Sequence, residues 1–186
     1  MVDLSAQKVL SAGEIEQKLA SHQLYVKTEY HEGHRADCSS ADLTRFDFAG
    51  LDLRGIKMDR ALLRGANFIG ADLRGANLIG ATLQRARLNR SNLSRARLSG
   101  ANLVSASFEN ACLAKAEMEF ALMAKAVLRG ACLCALLRGA NFNGAAPGTN
   151  PIGRGAPAEL WKQFRQAQLA IHLDPTQIEP GEIKPS

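Results

Sequence analysis

Residues 61–105 read ALLRG ANFIG ADLRG ANLIG ATLQR ARLNR SNLSR ARLSG ANLVS. The same rhythm of five runs outward, back to Ala36 and on to Ala135, giving twenty units without a break. The first position is Ala in sixteen units, Ser at Ser91, and large only at Phe46, Leu51 and Ile56. The third is Leu in thirteen, Phe in three, Met in three and Cys once, at Cys38. A helix of about 3.6 residues per turn cannot hold a period of five on one face, and a strand alternates with period two. The chain must therefore turn a corner every five residues. Past Cys134 the frame slips by one residue, and ALLRG (135–139) and ANFNG (140–144) follow.

These units resemble the A(D/N)LXX motif of the pentapeptide-repeat family, over Ala36 to about Ala145. The resemblance implies an all-β chain: a right-handed, four-sided parallel β-helix, with helical caps expected at both ends. Four units then make one square coil, with first and third residues pointing inward. Twenty units give five coils, a rod roughly 24 Å long at about 4.8 Å per stacked strand. Phe48, Phe68 and Phe108 share one face in that register, with Leu88 between and Leu128 beyond, and predict an internal aromatic stack. Asp or Asn recurs at the second position (Asp37, Asp42, Asp47, Asp52, Asn67, Asp72, Asn77, Asn92, Asn102, Asn141). Such short polar side chains bond nearby backbone at turns, a structural role.

A solenoid exposes its lumen and unpaired edges at both ends, so caps are expected. Residues 1–35 fit the first cap. Ser11 and Glu14 form a capping-box signature, Leu10, Ile15 and Leu19 are spaced for a short helix, and Leu24, Tyr25 and Val26 read as an extended piece. Phe46, Leu51 and Ile56 swell the interior near that end or pack beneath its cap. The repeat domain is read as 36–145, followed by a Gly/Pro linker at 146–156, a helix at 157–173 opened by Pro157, and a flexible tail at 174–186. Leu160, Trp161, Phe164 and Ile171 form an apolar stripe on that helix, suited to closing the rod or to pairing two copies as a homodimer.

Hydrophobic residues make 46% of the 186-residue chain and charged residues 22%, which excludes a disordered chain. No apolar window reaches a membrane-spanning length. The N-terminus lacks a basic-then-apolar leader, and the four cysteines read as thiols, so a cytoplasmic location is expected. No catalytic motif is present: no G-x-S-x-G, no Walker-type loop, no G-x-G-x-x-G and no H-E-x-x-H. The outside of a regular coil also offers no evident pocket, so no enzyme and no cofactor are expected. His31, His34 and Cys38 are close in sequence but match no common zinc spacing, and no metal site is assigned. In the four-sided register Cys112 and Cys132 stack at the second position of one face, with Cys134 beside them as a candidate outward thiol cluster.

Charge separates the function classes. Residues 36–145 hold fifteen Lys and Arg against nine Asp and Glu, a net of +6. The family includes strongly negative DNA mimics that act on type II topoisomerases, and a rod of the opposite sign argues against that role. Arg85, Arg87, Arg90, Arg95 and Arg97 form a belt, and no acidic residue lies between Asp72 and Glu109. The leading reading is a non-catalytic interaction or scaffold protein offering a rigid surface to a protein partner. The alternative is a binder of an anionic partner through the belt: acidic protein, nucleic acid or lipid surface. Exposed aromatics do not interleave with the arginines in the sequence, which disfavours nucleic acid.

Overall fold

Each unit ends in a turn. The first-position N–H donates back to the preceding third-position carbonyl, as from Ala41 to Cys38 (3.2 Å) and from Ala86 to Leu83 (3.0 Å). The fifth residue is therefore the third of four turn residues, where a type II turn demands a positive φ. All nineteen fifth positions from Ser40 to Gly130 comply, with φ between +55° and +69°. The computed structural model describes residues 10–133, 135–137, 140–142 and 145. The linker at 146–156, the helix at 157–173 with Leu160, Trp161, Phe164 and Ile171, the tail at 174–186, and Cys134 lie outside the described residues.

Between turns the chain makes parallel bridges at the second position of each unit. Asp37 bridges Lys57, Asp42 Leu62, Asp47 Asn67 and Asp52 Asp72, and each series continues upward at intervals of twenty residues. Four turns thus close one coil. Beyond Cys134 the interval drops to nineteen, at Glu117–Leu136 and Leu122–Asn141. The frame slip is absorbed there without breaking the stack. The bridges are single residues, and the described residues contain no longer strand. A corner every five residues leaves too little extended chain for a ladder, so the β character is that of stacked rungs.

Four of the five backbone donors of a regular unit bond other backbone. The second position donates down one coil and the third and fifth donate up, as from Arg87 to Ala66, Leu88 to Ser107 and Arg90 to Glu109. The fourth N–H is the orphan, and where the second position is Asp or Asn its carboxylate or amide accepts it. Asp37, Asp42, Asp47, Asp52, Asn67, Asp72, Asn77, Asn92 and Asn102 all do so, at 3.0–3.5 Å. First and third residues fill the lumen. Ala86, Leu88, Leu93 and Phe108 are fully buried, and Phe48 and Phe68 stack at 4.8 Å with rings 6° from parallel. Ser91 is buried too, but its hydroxyl donates to the Leu88 carbonyl at 2.7 Å. Ile56 is buried; Phe46 and Leu51 are half-buried against the core.

Helix α1 (Ala12–Lys27) covers the N-terminal end. Its capping box is formed: Glu14 N–H donates to Ser11 Oγ (3.3 Å) and Ser11 N–H to Glu14 Oε2 (2.8 Å). Leu10, Ile15 and Leu19 join the core of the coil. Leu24, Tyr25 and Val26, expected to be extended, belong to this helix. Ile15, Leu19, His22 and Val26 are buried at helical spacing, so burial of that face outweighs the local β preference of the apolar triplet. Gln23 Nε2 donates to the carbonyl of Asp52 (2.7 Å), which has no coil beneath it.

His22 is fully buried and accepts the Ala36 N–H at Nδ1 (3.2 Å), while Nε2 has no hydrogen-bond partner among the described residues. Burial holds its imidazole below the ordinary histidine value; nearby Asp52 opposes this, and Arg35 and Arg54 reinforce it. A base with a depressed folded-state pKa contributes stability that is complete above the unfolded value and lost as pH falls through the folded one. The melting temperature is therefore expected to be flat above about pH 6.5 and to fall on acidification. In His22→Gln, which keeps an acceptor without the titration, that decline flattens. An equal decline in both proteins would remove His22 as its source.

Candidate functional site

The coil presents three outward positions to a partner, the second and fourth residues of each unit and the corner residue. Arg87 and Arg97 occupy second positions, and Arg85, Arg90 and Arg95 occupy three consecutive corners. All five are exposed. Arg97 contacts Glu117 at 3.4 Å. The other four have no ion pair with a carboxylate among the described residues. Three cations of the first two coils are matched: Arg54 with Asp52 (2.7 Å), Arg74 with Asp72 (2.6 Å) and Lys57 with Asp37 (3.5 Å). Hydrogen bonds from Arg54 hold the Asp52 carboxyl below the usual range, and Ser39 does the same for Asp37. The acidic first coil is thus occupied by its own turns and ion pairs, whereas the third coil is left with uncompensated cations.

The corner arginines carry a conformational cost. Arg85, Arg90 and Arg95 have φ of +58°, +59° and +60°, and a left-handed non-glycine residue costs about 1–2 kcal/mol. Glycine fills eight of the nineteen corners, so an easier residue is available to this architecture.

Cys112 and Cys132 bridge each other on adjacent rungs, as the register required, and Cys112 Sγ lies 3.2 Å from Ser94 Oγ. Cys38 is buried in the lumen while His31 and His34 are exposed on the loop after α1. Among the described residues, no group of three or more His, Cys, Asp and Glu is placed to hold a metal ion. No helix among them is long and apolar enough to cross a membrane.

Two expectations need correction. The outer surface does carry a concavity, a shallow groove of about 790 Å³ running from the end of α1 along one side of the coil. Aromatics also meet arginines in space: Tyr25 and Tyr30, 4.9 Å apart, line that groove together with Arg35, Arg95 and Lys115. Part of this was readable, because residues 55, 75, 95 and 115 share one corner in a twenty-residue register. The two tyrosines were not, because only the docking of α1 brings them there.

The sequence profile of pentapeptide repeats, in eight copies, matches residues 36–75, 56–95 and 101–135. No curated protein matches the chain by sequence. Among solved structures it is similar to Rfr23, a pentapeptide repeat protein of the cyanobacterium Cyanothece, at 34% identity over 50% of this chain and 65% of that one, with a TM-score of 0.49. A pentapeptide repeat protein of the Arabidopsis thaliana thylakoid lumen is 34% identical over 56% and 66% of the two chains, with a TM-score of 0.42. HetL of the cyanobacterium Nostoc, involved in heterocyst differentiation regulation, is 29% identical over 60% and 65%, with a TM-score of 0.33. The chain spans just under two thirds of the length of each of these relatives.

Proposed function

This chain belongs to the pentapeptide-repeat family, and on that footing we propose that it is a non-catalytic interaction protein whose rigid basic surface engages an acidic protein partner. Its coil is read as the right-handed, four-sided β-helix of the family, in keeping with four turns per twenty-residue rung interval. The observation that carries the functional reading is the run of arginines at the corners of residues 85, 90 and 95. They are exposed, unmatched by carboxylates among the described residues, and held in a backbone conformation that glycine adopts more cheaply. Solubility alone accounts poorly for cations placed at the strained position, since the second and fourth positions offer relaxed sites. The net charge of +6 over residues 36–145 counts against mimicry of DNA. A thiol at the outer position of Cys112 suits a reducing compartment, such as the cytoplasm.

The test separates stability from binding. Replacing Arg85, Arg90 and Arg95 together by Gly relieves three left-handed residues. After the greater unfolded-state freedom of glycine is subtracted, each exchange is expected to stabilise by about 0.5–1 kcal/mol. The same variant is expected to lose most of the acidic proteins that the immobilised wild type retains from a lysate at low salt. A higher melting temperature with undiminished retention would reduce the belt to a solubilising surface.

A further inference from the structure

The groove beside α1 has an organised chemistry. One end lies under Tyr25 and Tyr30, the latter exposed and itself left-handed at φ +77°. Beneath them the corner is occupied by Gly55 and then Gly75, and a Cβ added at either would meet nothing within 4 Å. Two rungs further on, the same corner carries Arg95 and then Lys115. The glycines leave the channel open, and the long cations bound its far part. Arg54 and Arg74 also line it, but each is already held by a carboxylate, Asp52 or Asp72. Arg35, Arg95 and Lys115 have no carboxylate ion pair among the described residues and are the cations left to a ligand.

The dimensions narrow the choice of ligand. The lining spans four stacked rungs, about 14 Å between the outermost at roughly 4.8 Å each, which is the reach of four or five extended residues. A continuous row of phosphates would meet Asp52 and Asp72 on the same face, and that juxtaposition is unfavourable. A peptide can place carboxylates against Arg95 and Lys115 and an apolar side chain under the tyrosines. The geometry points to a docking groove for a short, extended acidic segment of a partner protein, running along the coil from the Tyr25–Tyr30 pair to Lys115. The inference rests on the reading of the chain as a binder of acidic protein, and it names the seat and form of the partner.

The experiment is a fluorescence-anisotropy titration of fluorescein-labelled hexaglutamate at low salt, with a labelled oligothymidylate in parallel. Arg95→Glu with Lys115→Glu reverses charge in the groove. Arg45→Glu with Lys125→Glu makes the same change of net charge at the opposite corner of the coil, and melting curves check that both variants are folded. Wild type is expected to bind hexaglutamate, the groove pair to weaken it by about tenfold or more, and the control pair by less than about threefold. Equal losses from the two pairs would overturn the groove while leaving the basic rod a binder of acidic protein. Affinity untouched by either pair, and by the three corner glycines, would overturn both readings. Tighter binding of oligothymidylate than of hexaglutamate, lost in the groove pair, would reassign the groove to nucleic acid and overturn the proposal.

Discussion

Leu88→Asp is expected to abolish cooperative folding. Leu88 is fully buried, and its third-position neighbours on the adjacent rungs are Phe68 and Phe108, both fully buried as well. The lumen around it is filled by Ala, Leu, Phe and Met, with no polar side chain but the satisfied Ser91. A carboxylate there has no partner, and neutralising it by protonation still leaves an unmatched polar group in an apolar channel. The cost adds to the lost leucine packing and reaches at least about 4–5 kcal/mol, a large share of the 5–15 kcal/mol that usually holds a domain together. Because a solenoid rung contacts only its neighbours, the damage divides the stack in two. Circular dichroism during heating should show no cooperative transition, whereas Leu88→Met, which keeps volume and polarity, should melt within a few degrees of wild type. An unaltered melt for the aspartate variant would mean that third positions do not face the lumen.

Gly33→Ala is expected to detach the cap. Gly33 has φ +74°, and a Cβ built on it collides with the Ser21 carbonyl oxygen, approaches Tyr25 N to 2.9 Å and Leu24 Cβ to 3.2 Å. The obstacles are mostly backbone of α1, so no side-chain rotation relieves them. Accommodating the methyl group means moving the loop off the helix or the helix off the coil. Either movement strains the Gln23 bond to Asp52 and the seal made by Leu10, Ile15 and Leu19. Gly100→Ala is the comparison: its φ is +68°, but nothing lies within 4 Å of the added Cβ. It should cost only the left-handed penalty, about 1 kcal/mol. Hydrogen exchange should show lost protection in α1 for Gly33→Ala alone, with the rungs above the second coil unchanged. Equal melting of the two alanine variants would show that close packing at Gly33 adds nothing.

The period of five revealed the inward positions because it is carried by the most buried residues. Ala86 and Leu88 could be assigned from spacing alone, and the slip at Cys134 was visible as a one-residue deficit before it appeared as nineteen-residue bridges. Corner geometry was hidden because identity there is mixed: Arg, Lys, Ser, Asn and Phe120 share the left-handed conformation with glycine. The helical state of Leu24 to Val26 was masked by His22. A polar residue interrupts the apolar spacing of Ile15, Leu19 and Val26, yet it is buried and bonded to Ala36. The groove depends on where α1 docks, a long-range placement to which the repeat pattern is blind.

The most direct measurement of the account is an amide chemical-shift titration of the isotope-labelled protein with hexaglutamate. The amide perturbations are expected to be strongest at Tyr25, Tyr30 and Arg35 and at residues 94–95 and 114–115, and to weaken away from that side of the coil. Perturbations distributed evenly around all four corners, or concentrated at the corner of Arg45 and Lys125, would contradict the account.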